Sequence, residues 1–171
     1  KVLNISSTAF TLESAPASVF SSYPSALTSS TTHILIYSAN NIVVLLNPKT
    51  GYQHLLFSHT EPISFIKTCQ NSKTLVTAQK HQSLVLFWNL KSKKLPVPFY
   101  VKKVSELKYL DFTCSNKLVT AGKDEHGRDL LIVYNVSKVF SKKEVSQVCQ
   151  QLSDFDIKVA KWGIKDDSRV V

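Results

Sequence analysis

The sequence predicts an all-β chain built from copies of one small antiparallel sheet, on three observations. Ile63 to Leu90 (ISFIKTCQNSKTLVTAQKHQSLVLFWNL) holds three apolar runs of strand length, rich in β-branched and aromatic residues and divided by polar turns. The run LVTA occurs at Leu75 and again at Leu118, and an aromatic–Asn pair occurs at Trp88-Asn89 and again at Tyr134-Asn135. These offsets, 43 and 46 residues, differ by the three extra residues of the GKDEHGRD loop. A period of about 40 to 45 residues with four strands per period marks a β-propeller blade, because one four-stranded sheet cannot bury its faces alone. A two-sheet sandwich would share the strand spacing but not the self-similarity. The expected architecture is a partial β-propeller, about three four-stranded antiparallel blades plus the start of a fourth.

Taken in order, residues 1–32 read as a lead-in rich in Ser, Thr and Ala, with KVLNI as its strand candidate. Ser14 to Thr32, with Pro16 and Pro24, reads as loop packed through aromatics such as Phe20 and Tyr23. Residues 33–57 carry HILIYSA, a tight turn at Asn40-Asn41, IVVLLN, a Pro- and Gly-bearing turn from Asn47 to Gly51, and YQHLLF. These strands are apolar throughout rather than alternating, so neighbouring sheets should cover both faces. In residues 62–103, ISFIK, TLVTA and LVLFWNL precede VPFYVKK, whose Pro and Lys suit an outer strand with one edge in water. Residues 106–152 repeat that unit: LKYLDFTC, a turn at Asn116, KLVTA and LLIVYN. The end of this unit has two readings. Val145, Val148, Cys149 and Leu152 fall at helical spacing, but VSQVCQQL is read in preference as the outer strand, since the blade needs one there. A fourth copy opens in 157–171 with IKVAKWGIKDDSRVV. The chain starts without a methionine and stops in a strand-like run, and is expected to be a piece of a longer protein.

The chain has 171 residues, 43 % hydrophobic and 19 % charged, a globular rather than disordered balance. No run approaches the ~18 to 20 apolar residues of a membrane span, and no signal-type core opens the sequence. Cys69, Cys114 and Cys149 are odd in number, widely spaced and without a CxxC pair, so buried reduced thiols in a cytosolic protein are expected. Lys and Arg total 21 against 12 acids, a net charge of +9. That balance favours acidic partners, whether nucleic acid, anionic lipid or acidic protein tails, although a solvated lysine-rich surface would give the same number.

The repeat, with aromatic–Asn closing the third strand where Trp-Asp is typical, resembles the WD-repeat propellers. Within them, Tyr37, Ala39, Asn41, Val43, Val44, Leu45, Asn47, Thr50 and Gln53 resemble the first blades of one group. That group holds the echinoderm microtubule-associated protein-like proteins, the mitotic-pole WD-repeat scaffolds and the large WD-repeat proteins of cilia and centrioles. The resemblance covers roughly residues 33–171. It implies a non-catalytic scaffold for protein–protein interactions, cytoplasmic and cytoskeletal, at a cilium, centriole or basal body, or spindle pole. The implied partners are other proteins, tubulin and microtubules or ciliary complexes among them, within a larger assembly and with no membrane. The alternative is a signalling or RNA-processing WD-repeat adaptor. Asn89 and Asn135 replace the usual Asp, and the Gly-His pair that opens a blade survives as Ser58-His59. The His–Asp network that braces many such blades is therefore expected to be incomplete, leaving hydrophobic packing to hold them.

Little in the residues supports catalysis. The five histidines show no HExxH and no ligand spacing, no GxSxG occurs, and the four glycines form no phosphate loop. No enzyme, metal or cofactor is expected. His59 is expected to brace the turn into ISFIK, and with Trp88, Asn89, Tyr134, Asn135 and Trp162 it marks the structural repeat. Asp124, Glu125 and Asp129 share GKDEHGRD with Lys123 and Arg128, and read as a solvated hairpin tip rather than a Ca²⁺ loop. Asp166-Asp167 reads the same way. The candidate contact surface is basic: Lys91, Lys93 and Lys94 after the Trp88 strand, Lys102 and Lys103 at the next, then Lys138, Lys142 and Lys143. Nucleic acid is disfavoured, since single strands want aromatics interleaved with the basic groups and Phe99 and Tyr100 suit the outer strand better.

Overall fold

The computed structural model describes residues 27–29 (backbone), 34–68, 73–92, 94–113, 115–162 and 170. Three four-stranded antiparallel sheets follow one another, each with its strands in chain order from one edge to the other. The first holds β1 (Leu27–Ser29), β2 (Leu35–Ala39), β3 (Ile42–Leu46) and β4 (Gln53–Phe57). The second holds β5 (Ile63–Thr68), β6 (Thr74–Gln79), β7 (Leu84–Asn89) and β8 (Val97–Tyr100). The third holds β9 (Glu106–Phe112), β10 (Lys117–Lys123), β11 (Asp129–Asn135) and β12 (Ser146–Ser153), with the one-turn helix α1 (Val139–Lys142) between its last two strands.

The middle sheet shows why its strands are apolar on both faces. Leu75, Leu84, Leu86 and Trp88 pack toward Ile36 and Val43 of the first sheet. Their neighbours in sequence, Val76, Ala78, Val85 and Phe87, pack toward Leu107, Leu118, Ile132 and Tyr134 of the third. A period of two therefore sends alternate residues into two different cores. Each of the Val, Leu, Ile and Phe side chains among them contributes about 1.5–3 kcal/mol on burial. Phe99 on β8 closes the outer end of the second seam, edge-on to Tyr134 at 5.0 Å.

Turns join strands where the sequence placed them. Asn40 (φ 58°) and Asn41 link β2 to β3, and Gly51 (φ 69°) donates its N–H to Asn47 O at 2.9 Å. Gly122 sits where β10 slips register against β9, and a Cβ there would lie 2.2 Å from Glu106 O. Only a residue without a side chain lets the two backbones approach so closely.

The structure departs from the sequence reading at several points. β1 falls inside the stretch read as loop, and a three-residue strand is too short to show a period. The preferred reading of 145–152 as a strand is the one formed; the departure is α1, which lies earlier in the chain, anchored by buried Val139. Cys149 is exposed on β12 rather than buried, because the outer strand lies beyond the core. Cys69, Cys114, KVLNI and Asp166-Asp167 lie outside the described residues. Of the fourth copy, residues 157–161 form no strand, and Trp162 makes an isolated bridge to Val170.

Candidate functional site

Antiparallel pairing places Asn47, Asn89 and Asn135 at one end of their sheets, where the β3–β4, β7–β8 and β11–β12 loops emerge. The sheets stack with like ends together. Lys67 meets Asp111 at 3.6 Å toward that end, while Lys80 meets Glu106 at 2.8 Å and Leu107 N–H bonds Lys80 O at the other. The three sheets thus share two loop faces, here called the Asn face and, from the β4–β5 loop on the opposite side, the His face.

At the His face, His59 is 5 % exposed and Thr77 and Gln79 are fully buried. Trp88 Nε1–H donates to Thr77 Oγ1 at 2.8 Å. Thr77 Oγ1 lies 2.7 Å from His59 Nε2, and His59 Nδ1 lies 2.9 Å from Gln79 Oε1. Gln79 Oε1 can only accept, so Nδ1 carries the proton and Nε2 accepts the Thr77 hydroxyl. One proton per bond runs from Trp88 to Gln79. Burial lowers the His59 pKa, the Gln79 bond opposing, so the ring is neutral at pH 7. The His–Asp network as such is thus incomplete, but in the second sheet a His–Thr–Trp chain forms without Asp, with Gln79 as the terminal acceptor. The sequence signal was Thr77 within LVTA and Gln79 two residues on, at alternate positions on one face of the strand.

Asn47, Asn89 and Asn135 share a second device. Each Oδ1 accepts the backbone N–H two residues on, Lys49, Lys91 and Ser137, all at 3.0 Å. This Asx turn starts the third loop of every sheet and shows why Asn serves where Trp-Asp is typical.

The predicted basic residues divide between the faces. Lys91, Lys94, Lys138, Lys142 and Lys143 lie on Asn-face loops, joined by Lys49 and Lys73, which sequence reading did not single out. Lys102 and Lys103 follow β8 on the His face, where Lys103 Nζ donates to Gln150 Oε1 at 3.4 Å. Lys93 lies outside the described residues.

The expected solvated hairpin tip is buried at both ends. Asp124 accepts His126 N–H at 2.9 Å, Arg128 N–H at 2.8 Å and Arg128 Nε–H at 3.0 Å. Asp129, 1 % exposed, pairs with Lys123 at 2.8 Å and Lys108 at 3.3 Å, and accepts the Ile157 N–H. Burial pushes its pKa up, but the Lys123, Ile157 and Lys108 bonds outweigh that and hold it below the ordinary carboxylate value. Trp162 N–H donates to Asp111 Oδ2 at 3.0 Å, and Lys117 Nζ lies 5.7 Å from its ring centre. These bonds hold 157–162 against the open side of the third sheet.

A pocket of about 490 Å³ opens on the His face between Lys103–Ser105 and Asp124–Arg128, floored by Val104, Leu130 and Leu152. Its Asp124 and Arg128 neutralise each other at 2.9 Å. Among the described residues no three His, Cys, Asp or Glu side chains are grouped to hold a metal ion. No helix there is long and apolar enough to cross a membrane.

No protein-family model matches the chain. It is similar to WD repeat-containing protein 90 of Xenopus tropicalis, 30 % identical over 139 residues, which is 80 % of this chain and 8 % of that protein. The Homo sapiens protein of the same name is 24 % identical over 138 residues, 80 % of this chain and 8 % of its own length. The chain thus spans only a small fraction of these relatives. Among solved structures, a chain of the Mitotic Checkpoint Complex superposes with a TM-score of 0.61 at 13 % identity, over 80 % of this chain and 40 % of that one. The RRP9 WD40 repeats give 0.59 at 12 %, over 77 % and 42 %. At such identities the likeness is one of fold.

Proposed function

We infer that this chain, a run of blades of the WD-repeat β-propeller family, is a non-catalytic scaffold for protein–protein interactions. The observation that carries this reading is the division of labour in the sheets. Strand faces are consumed by packing between blades, so the loop faces are left for recognition, and their chemistry is charge and hydrogen bonding rather than a convergent acid–base site. In finer terms, the scaffold is microtubule-associated, in the cytoskeleton of a cilium, centriole or basal body, or spindle pole. Two features support that step. The residues of β2 to β4 resemble the first blades of the microtubule and ciliary group, and the lysines on the loops suit the acidic surface of tubulin. Both are arguments by likeness and charge.

Co-sedimentation of the full-length protein with microtubules tests the finer reading. Binding is expected at low salt, to weaken as salt rises, and to be lost when Lys91, Lys93 and Lys94 become Glu. No pelleting at low salt would remove the microtubule assignment and favour an adaptor elsewhere in the cell.

A further inference from the structure

Among the described residues, the Asn-face loops carry far more positive than negative charge, and the nearest ion pair, Lys67–Asp111, lies on the strands behind them. Ion pairs among the described residues lie on the His face, on strands or on the 154–158 segment, as in Lys80–Glu106, Arg128–Asp124 and Lys123–Asp129. Acids follow the same division, with Glu61, Asp124, Glu125 and Asp154 all near the His face. Asn-face loops hold lysines from all three blades, and Glu144 is the acid among their described residues. None of Lys49, Lys91, Lys94 or Lys138 has a carboxylate partner within ion-pair distance among the described residues.

Two of these lysines are held together. Leu90 N–H donates to Lys73 O at 2.8 Å and ties the β7–β8 loop to the start of β6. This sets Lys91 beside Lys73 at one corner of the sheet, and the Lys91 side chain, then lost hydration, lowers the Lys73 pKa. Neighbouring like charges repel, and a bound anion would relieve the repulsion. The Asx turns at Asn47 and Asn89 put Lys49 and Lys91 at equivalent loop positions, so successive blades present the same charge.

We propose that the Asn face docks a carboxylate-rich, extended segment of a partner protein, with Lys73 and Lys91 receiving one carboxylate and the lysines of the flanking blades receiving others. This rests on the scaffold reading and adds the face and the chemistry of the partner. Lysine-only composition favours a peptide over nucleic acid. A lysine is a point charge that follows a flexible carboxylate, whereas phosphate and base recognition favours the arginine fork, and Arg128 lies on the other face. Exposed aromatics on the Asn face, Tyr52 and Phe140, belong to different blades and form no stacking series for successive bases.

Fluorescence anisotropy of a labelled polyglutamate peptide against the full-length protein tests this, with polyglutamine and a single-stranded oligonucleotide as further probes. The triple variant Lys73→Glu, Lys91→Glu, Lys94→Glu is expected to weaken peptide binding by about tenfold or more and to flatten its salt dependence. The opposite-face variant Lys102→Glu, Lys103→Glu is expected to change it less than about twofold. These lysines are exposed, and matching Lys→Gln variants should show a smaller loss in the same order. Equal loss from both faces would reduce the effect to net charge and overturn the proposal. So would absence of peptide binding, or tighter binding of the oligonucleotide through the same lysines. Peptide binding mapped to Lys73 and Lys91 without microtubule pelleting would sink the microtubule reading alone. Salt-sensitive pelleting of the parent protein, with no peptide binding, would sink this proposal alone.

Discussion

His59 shows how one residue couples a loop to two strands. Its ring joins Thr77 and Gln79 on β6 and, through Thr77, Trp88 on β7. His59→Ala leaves a buried hydroxyl and a buried amide without their partner, so a loss of about 2–4 kcal/mol is expected in urea titration. Acid should act at the same point. The folded ring resists protonation more than the unfolded one, whose pKa is about 6.5. Its contribution is therefore complete above that value and is lost as pH falls toward the lower folded pKa. The full-length protein should lose stability as pH falls below about 6.5, and His59→Gln should flatten that slope. An unchanged slope in the variant would mean that His59 is not the group responding. The relay was half legible in the sequence. His59 stands out as a remnant of a blade opening, but Thr77 and Gln79 look like ordinary strand residues until the loop folds over them.

At the scale of elements, strand positions could be read because each apolar run is bounded by residues that suit turns: Asn40-Asn41, Asn47 to Gly51, and Asn116 with φ 60°. β1 could not be read, since three residues take their conformation from pairing with β2 rather than from a pattern of their own. Nor could the paired acids of GKDEHGRD. Five charged residues in eight suggest water, yet Asp129 opens β11 facing two lysines from β9 and β10, and only the folded sheet brings those three strands together. That carboxylate fastens the connection after β12 through Ile157 N–H. Asp129→Asn keeps an acceptor for Ile157 but removes the charge from Lys108 and Lys123. A loss of about 1–3 kcal/mol is expected, the lysines being partly hydrated. Because the pKa of Asp129 is depressed, its share of stability is present above about 3.9 and disappears as pH falls through the lower folded value. The variant should therefore be less stable than the parent at pH 7 and approach it in strong acid. A pH-independent difference would instead point to lost packing.

For the molecule as a whole, the decisive fact is that the middle blade has no face of its own to spare. Residues alternate between two cores, so each seam depends on side chains from two sheets, and stability should spread by nearest-neighbour contact as in other stacked repeats. Phe87 is fully buried in the seam with the third blade, between Val76 and Val85 on its own sheet and the β9–β11 surface opposite. Phe87→Ala should cost about 3–5 kcal/mol by removing the ring and leaving a cavity between two rigid sheets. The spatial pattern of that loss is the sharper test. Hydrogen exchange on the full-length variant should show faster amides in β6 and β7 and also across β9, β10 and β11. Protection in β2 and β3, which face Leu84, Leu86 and Trp88 on the other side, should change least. Loosening confined to the second sheet would mean that the blades hold together by their own hydrogen bonds. Uniform loosening of all three would mean that they unfold as one unit. Either result would contradict a propeller stabilised seam by seam.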